Sequence, residues 1–224
     1  MIRFLGSGKW LSKIPYWIVV AGLFALAAWR RFSLPLDPIA DPDTWGYLSP
    51  ALEKLTGGAF IHNGRNFLYP GFLFVLLRLF GDFRAITITQ HLLGLGAGGL
   101  LLLTWQRTGV FVSETRRTGV LHCLLGLAAA AICLTAGGPI NTEMQIRPEG
   151  ISAFLLGLNI YCTIEFIARA FIIKRPAAAF GIFAGITAGA LASIKPSFAL
   201  MAVLPLAPLT VFMYRVRQWR KKYL

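Results

Sequence analysis

The sequence predicts an all-α polytopic membrane protein, with about six transmembrane helices and one exterior loop that carries a short interfacial helix. Three observations predict it. Hydrophobic residues make up 56% of the chain and charged residues 14%, where soluble domains have roughly a quarter of their residues charged. Several long apolar runs contain no Asp, Glu, Lys or Arg. The basic residues fall in short clusters between those runs, as the positive-inside rule requires. Few charges without high polarity, no glycine period and only three cysteines exclude a disordered chain, a collagen and a disulfide scaffold. The net charge of +13 is not gathered into one basic stripe, so nucleic acid is not an expected partner.

A bilayer core of about 30 Å needs about 20 helical residues. The expected spans are 14–29, 85–106, 118–137, 150–168, 176–194 and 197–214, in one domain covering 1–224, with 30–84 as the exterior loop. Ile14–Trp29 is short, so Trp10, Lys13 and Arg30 would have to reach the headgroups. Its alternative is a cleaved signal peptide ending in Ala25-Leu26-Ala27, against which Arg30-Arg31 argues. Tyr69–Phe80 is apolar except for Arg78, but is too short to cross and is expected to lie along the interface. The 22 basic residues then divide into 14 inside and 8 outside. A seven-span alternative puts 15 inside, so charge counting does not choose between them.

The spans carry packing signals and little chemistry. Gly181, Gly185 and Gly189 recur at four-residue intervals, which lets a neighbouring backbone come close. Gly94–Gly99 has the look of a phosphate loop, but it follows no strand and lies within a span, so helix packing is the expected role. Cys123, Cys133 and Cys162 lie in apolar runs and are expected to be core thiols. His62, His91 and His122 are scattered and make no zinc pattern. With so few ionisable groups in the spans, a small-solute transporter is disfavoured.

Seven of nine carboxylates, Asp37, Asp41, Asp43, Glu53, Asp82, Glu143 and Glu149, fall in the first loop and in the connection between the third and fourth spans. A shared site and two ordinary solvated loops both account for that clustering. The first loop reads Asp37-Pro-Ile-Ala-Asp-Pro-Asp-Thr-Trp-Gly-Tyr, followed by Arg65-Asn-Phe-Leu-Tyr-Pro-Gly71 and Leu79-Phe-Gly-Asp82. Later come Arg147-Pro-Glu149-Gly and Gly185…Ser193-Ile-Lys195-Pro. In this order the motifs resemble the amino-terminal portion of the GT-C glycosyltransferases, the multi-span enzymes that use polyprenyl-phosphate-linked sugars and that include protein mannosyltransferases and lipid A aminoarabinose transferases.

The resemblance implies a catalytic acid soon after the first span, a tyrosine four residues on and a small residue beyond; Asp43, Tyr47 and Ala51 match. It implies an integral, multi-pass glycosyltransferase, expected in a bacterial inner (plasma) membrane with its site facing the exterior, whose partners are a polyprenyl-phosphate-linked sugar and membrane lipid. Asp43 would be the general base. Asp41 would orient the acceptor or help hold a divalent cation, Mg or Mn. Glu149 is the candidate second acid, and Arg147 and Lys195 the candidates for capturing the lipid phosphate.

Each role has a plainer counterpart. Asp41 and Asp43 can form a capped turn before a helix at Thr44–Leu55. Glu149 can be an ordinary acid in a helix's first turn. Lys195, Arg147, Arg84 and Arg65 can be headgroup anchors, which is the expectation for Arg84 and Arg65. Trp45, Tyr47 and Tyr69 can stack on a sugar or join an aromatic belt, the latter being expected for Tyr69. GT-C enzymes generally continue with further spans, whereas this sequence stops at Leu224. The competing expectation is therefore a truncated, non-catalytic lipid-binding or scaffold subunit, with a partner membrane subunit supplying the missing helices.

Overall fold

The computed structural model describes residues 14–60, 66–111 and 116–200, with isolated positions at 207, 210, 211 and 214. The expected last span, 197–214, lies mostly outside the described residues, as do Arg65 and His62. The described chain is helical throughout: α1 Ile14–Phe32, α2 Thr44–Leu55, α3 Leu68–Phe80, α4 Arg84–Thr108, α5 Arg116–Thr135, α6 Gly137–Met144, α7 Glu149–Ile167 and α8 Ala178–Ile194. A π turn, Ala168–Ile173, extends α7, and short 3-10 turns follow α4 and α8.

Among the described residues, two helical stretches are long and apolar enough to cross a membrane, Arg84–Phe111 and Glu149–Ile173. The bent pair Gly119–Thr135 and Gly137–Met144 makes a third if it is one span. Here the expected helix 118–137 needs correction, because the backbone turns extended at Ala136 (φ −64°, ψ 138°) and the two pieces meet at 40°. The cause is Gly137-Gly138-Pro139: two residues of low helix propensity, then a proline that is tolerated only in a helix's first turn.

The two longest stretches form the centre. α4 packs along α7, α8 packs on the other side of α7, and α1 and α5 pack against α4. Small residues set how closely they approach. A Cβ at Gly98 would sit 2.3 Å from the Leu134 side chain, one at Gly96 2.9 Å from Phe154, and one at Gly94 1.9 Å from a Glu143 carboxylate oxygen. The glycine run of α4 is thus a groove for α5, α6 and α7. Gly181 lies 3.3 Å from Phe166 by the same measure, but Gly185 and Gly189 face open space. Between α7 and α8, buried Asn159 donates to the Ala184 carbonyl (2.8 Å) and the Thr187 hydroxyl (3.2 Å), a polar tie of the kind that joins helices in an apolar medium.

The first loop folds into a helical hairpin. Gly81, in the left-handed region at φ 65°, stops α3, and Asp82 Oδ1 accepts the Arg84 amide at the start of α4. Leu48, Ala51, Tyr69, Leu73, Leu76 and Leu77 of this hairpin share a buried cluster with Ile86, Ile146, Ile151 and Ile194. Those last four residues mark the start of α4, the start of α7 and the end of α8, so the hairpin is seated across one end of the bundle. A single parallel bridge, Ile39 to Gln145, ties the loop to the α6–α7 connection: the Ile39 amide donates to the Met144 carbonyl (2.8 Å) and the Ile146 amide to the Ile39 carbonyl (3.4 Å). Of the thiols, Cys162 is buried, Cys133 half-buried and Cys123 exposed. The core assignment therefore fails for Cys123, which sits on the outer face of α5.

Gly94→Ala is expected to lower stability by about 1–3 kcal/mol, the usual cost of overpacking a filled site, because the new methyl must displace the Glu143 carboxylate. Gly185→Ala meets nothing and should leave the melting temperature unchanged or slightly raised. Thermal unfolding of the two variants in the same detergent checks the contrast.

Candidate functional site

The end of the bundle that carries the hairpin also gathers the acids. Asp41 lies in the turn before α2, where its Oδ1 accepts the Asp43 amide (2.9 Å) and the Thr44 hydroxyl (3.1 Å), and the Thr44 hydroxyl accepts the Asp41 amide (2.8 Å). The turn is thus built by Asp41 and Thr44. Asp43, at the N-cap of α2, makes no side-chain capping bond, so of the plainer reading of this pair the turn is present and the side-chain cap is not.

Arg147 reaches this turn from the α6–α7 connection. Its Nε lies 2.9 Å from Asp41 Oδ2 and 3.6 Å from Glu149 Oε2, and one terminal nitrogen lies 3.6 Å from Asp43 Oδ2. Lys195, which follows α8, donates to Glu149 Oε1 at 2.6 Å. Asp41, Asp43, Arg147, Glu149 and Lys195 therefore form one connected cluster, drawn from three separate stretches of sequence. Lys195 is paired with a carboxylate within the chain and is not solely a headgroup anchor. Asp43 keeps about half of its side chain open to solvent, while Asp41 keeps 11%.

Asp41 Oδ2, Arg147 Nε and Glu149 Oε2 are buried yet lack a well-aligned hydrogen bond. Asp41 Oδ2 and Arg147 Nε are ion-paired with each other at 2.9 Å, and Glu149 Oε2 is 3.6 Å from the same nitrogen. Buried polar atoms without aligned partners are uncommon in folded proteins and deserve an explanation. Of the three, Glu149 Oε2 is the one without a partner inside hydrogen-bond distance.

Tyr47 stands beside the cluster on α2, edge-on to Tyr69 with ring centroids 5.3 Å apart. The belt assignment for Tyr69 needs correction: the residue is fully buried and its hydroxyl donates to Gln90 Oε1 at 3.2 Å. Burial, reinforced by the charge of Glu149 nearby, pushes the Tyr69 phenol well above its ordinary range. Trp45 remains exposed. Arg84 pairs with Asp37 at 3.1 Å on the surface, outside the cluster.

A second polar centre lies beneath, and nothing in the motif pattern announced it. Arg31 of α1 is completely buried and grips Glu143 of α6 with two 2.8 Å bonds, while also donating to the Leu134 carbonyl at 2.6 Å. His91 Nδ1 meets the same carboxylate at 2.8 Å. Gln90, next to His91, donates to the carbonyls of Glu143 (2.8 Å) and Gln145 (2.9 Å). These bonds fix the segment that leads into Arg147 and Glu149. The available signal was a His and a Glu inside or beside apolar runs, where ionisable residues are costly and functional or paired by default.

At the opposite end, Glu165 of α7 takes Arg107 of α4 and Arg169 of the π turn. Most acids thus sit at one end of the bundle and this basic clamp at the other.

A divalent cation does not fit the acidic cluster as arranged. Asp41, Asp43 and Glu149 each face Arg147 or Lys195, and among the described residues no group of three or more His, Cys, Asp or Glu side chains converges as metal ligands do. Comparison with known protein families, curated proteins and solved structures finds no match for this chain.

Tyr69→Phe is expected to cost about 0.5–1.5 kcal/mol, the net worth of one hydrogen bond. It should also change the alkaline limb. Because the folded state raises the Tyr69 pKa, its contribution is complete below the unfolded tyrosine pKa of about 10 and is lost as pH rises from there toward the folded value. Denaturant unfolding across alkaline pH should therefore show a smaller loss of stability in Tyr69→Phe than in the wild type.

Proposed function

We propose that the chain is an integral membrane glycosyltransferase that moves a sugar from a polyprenyl-phosphate donor to an acceptor hydroxyl, with Asp43 as general base. The observation that carries this reading is the convergence of Asp41, Asp43, Arg147, Glu149 and Lys195 at one end of an apolar helical bundle. Asp43 has the two properties a base needs there. It is open enough to meet an acceptor hydroxyl, and its side chain is not used to cap α2.

In the proposed step Asp43 takes the proton of the acceptor hydroxyl as that oxygen attacks the anomeric carbon. The bond from that carbon to the phosphate oxygen breaks, and polyprenyl phosphate leaves with the electron pair. Arg147 and Lys195 stabilise the charge growing on the leaving phosphate. With one base and direct displacement, the reaction inverts the anomeric centre. Asp41 holds the turn and Arg147 in register, and Tyr47 offers a ring face beside the sugar.

The membrane setting belongs to the same proposal. Among the described residues the proposed spans are α1, α4, the bent α5–α6 unit, α7 and α8. The α2–α3 hairpin lies on the exterior surface of a bacterial inner membrane, and α3 borders the entry of the prenyl chain. The contact of Asp41 and Asp43 with Arg147 supports this arrangement, since it puts the first loop and the α6–α7 connection on one side.

A second reading, a non-catalytic subunit that packs against a partner helix, draws on the open face at Gly185 and Gly189 beside exposed Ile182, Phe183 and Ile186.

Asp43→Asn should leave the melting temperature unchanged and lower sugar transfer by about 10²–10⁴-fold, the typical share of a general base; retained transfer would overturn the assignment, and a normal complex after Gly185→Leu would count against the subunit reading. Single cysteines introduced at Thr56 and Thr142, in a background lacking the native thiols, should both react with a membrane-impermeant reagent added from the exterior. Labelling of only one would separate the two loops and remove the basis of the site.

A further inference from the structure

The cluster holds three carboxylates, Asp41, Asp43 and Glu149, against two cations, Arg147 and Lys195. With all five groups charged, its net charge is −1. A phosphate monoanion or dianion brought to an intact cluster meets that surplus, so one carboxylate must give way before a phosphate can settle on the cations. The three acids are not equally able to move.

Asp41 is fixed from both sides, since its Oδ1 closes the turn with the Asp43 amide and the Thr44 hydroxyl while its Oδ2 lies 2.9 Å from Arg147. Asp43 lies at the edge of the cluster, 3.6 Å from Arg147, and its departure would not uncover Lys195. Glu149 has the longer side chain, and its Oε1 accepts the 2.6 Å bond from Lys195. Its other oxygen is buried, 3.6 Å from Arg147 Nε, and not hydrogen-bonded. It also stands in the first turn of α7, where the helix dipole favours a negative group with or without Lys195. Lys195 keeps 44% of its side chain exposed, so a ligand can reach it from solvent.

We propose that Glu149 is an internal stand-in for the ligand's phosphate. Without ligand, its carboxylate occupies Lys195 and lies against Arg147; when a phosphate monoester binds, it takes the Glu149 position on Lys195, and the Glu149 side chain swings away. This proposal rests on the reading of the cluster as a polyprenyl-phosphate site and adds the way in which that site is held closed. Glu149 is here a competitor of the substrate and not a second catalytic acid. The same exchange serves a free phosphate and a lipid phosphate, the latter with its prenyl chain along α3.

The test measures binding of a polyprenyl phosphate and, separately, of inorganic phosphate to the full chain in nanodiscs of zwitterionic lipid. Glu149→Gln should bind polyprenyl phosphate about tenfold more tightly than the wild type, a change of about 1.4 kcal/mol. Lys195→Gln should bind it at least tenfold more weakly. In Glu149→Gln/Lys195→Gln the gain should vanish, because the competition requires the lysine. A purely structural role for Glu149 predicts weaker binding instead, and melting temperatures of all variants identify any that fail to fold.

If the wild type binds and Glu149→Gln binds equally or less tightly, the exchange is overturned while the polyprenyl-phosphate reading stands. If neither wild type nor Glu149→Gln binds polyprenyl phosphate, both fall together. Inorganic phosphate that binds as tightly as the lipid phosphate would assign the site to free phosphate, leaving the exchange in place and removing the lipid from it.

Discussion

The structure depends on the neutralisation of one buried carboxylate. An unpaired carboxylate in apolar surroundings costs several kcal/mol, and Glu143 avoids this by taking both arms of Arg31 and one nitrogen of His91. These partners come from α1 and α4, and Arg31 also holds the Leu134 carbonyl near the end of α5. Four helices are thereby fixed at one point. Gly94 is part of the same solution, since only a residue without a side chain leaves room there for the carboxylate. Replacing such a triad with apolar residues can preserve or even raise stability, so its contribution is best understood as specificity: it fixes which end of α6 meets α1 and α4.

From that point the order propagates outward. The backbone of Glu143 and Gln145 is gripped by Gln90, the next rung joins Ile39 to Gln145, and two residues on Arg147 meets the acids of the first loop. The backbone beneath the cluster is therefore tied by hydrogen bonds to α4 and to the first loop.

How much of this was legible differs from residue to residue. The stretches that became α4 and α7 could be read because a long run without charge is a local property, 85–106 in the first and the shorter 150–164, ended by Glu165, in the second. The helix Thr44–Leu55 and the stop of α3 before Gly81 were likewise local. Asp41, Asp43, Arg147, Glu149 and Lys195 could be singled out by their motifs, although no spacing revealed that Arg147 would be shared among three acids. Arg31 bears on the sequence reading only through Arg30-Arg31, as an argument against cleavage; its partner lies 112 positions away, beyond any local pattern. The belt expectation for Tyr69 rests on its being an aromatic at an interfacial helix, whereas its burial depends on the α2–α3 hairpin folding over it. The break at Ala136 was available in the Gly-Gly-Pro run, but the apolar continuity on both sides outweighed it.

The distance between Arg31 and Glu143 along the chain has a consequence for biogenesis. Ribosomal synthesis delivers the guanidinium of α1 long before its counter-ion emerges, and α4 and α5 must be laid down in the meantime. Until α6 arrives, the early helices hold a cation with no mate, a conspicuous mark of incompleteness. A chain interrupted before α6 keeps the guanidinium of α1 without the carboxylate that neutralises it.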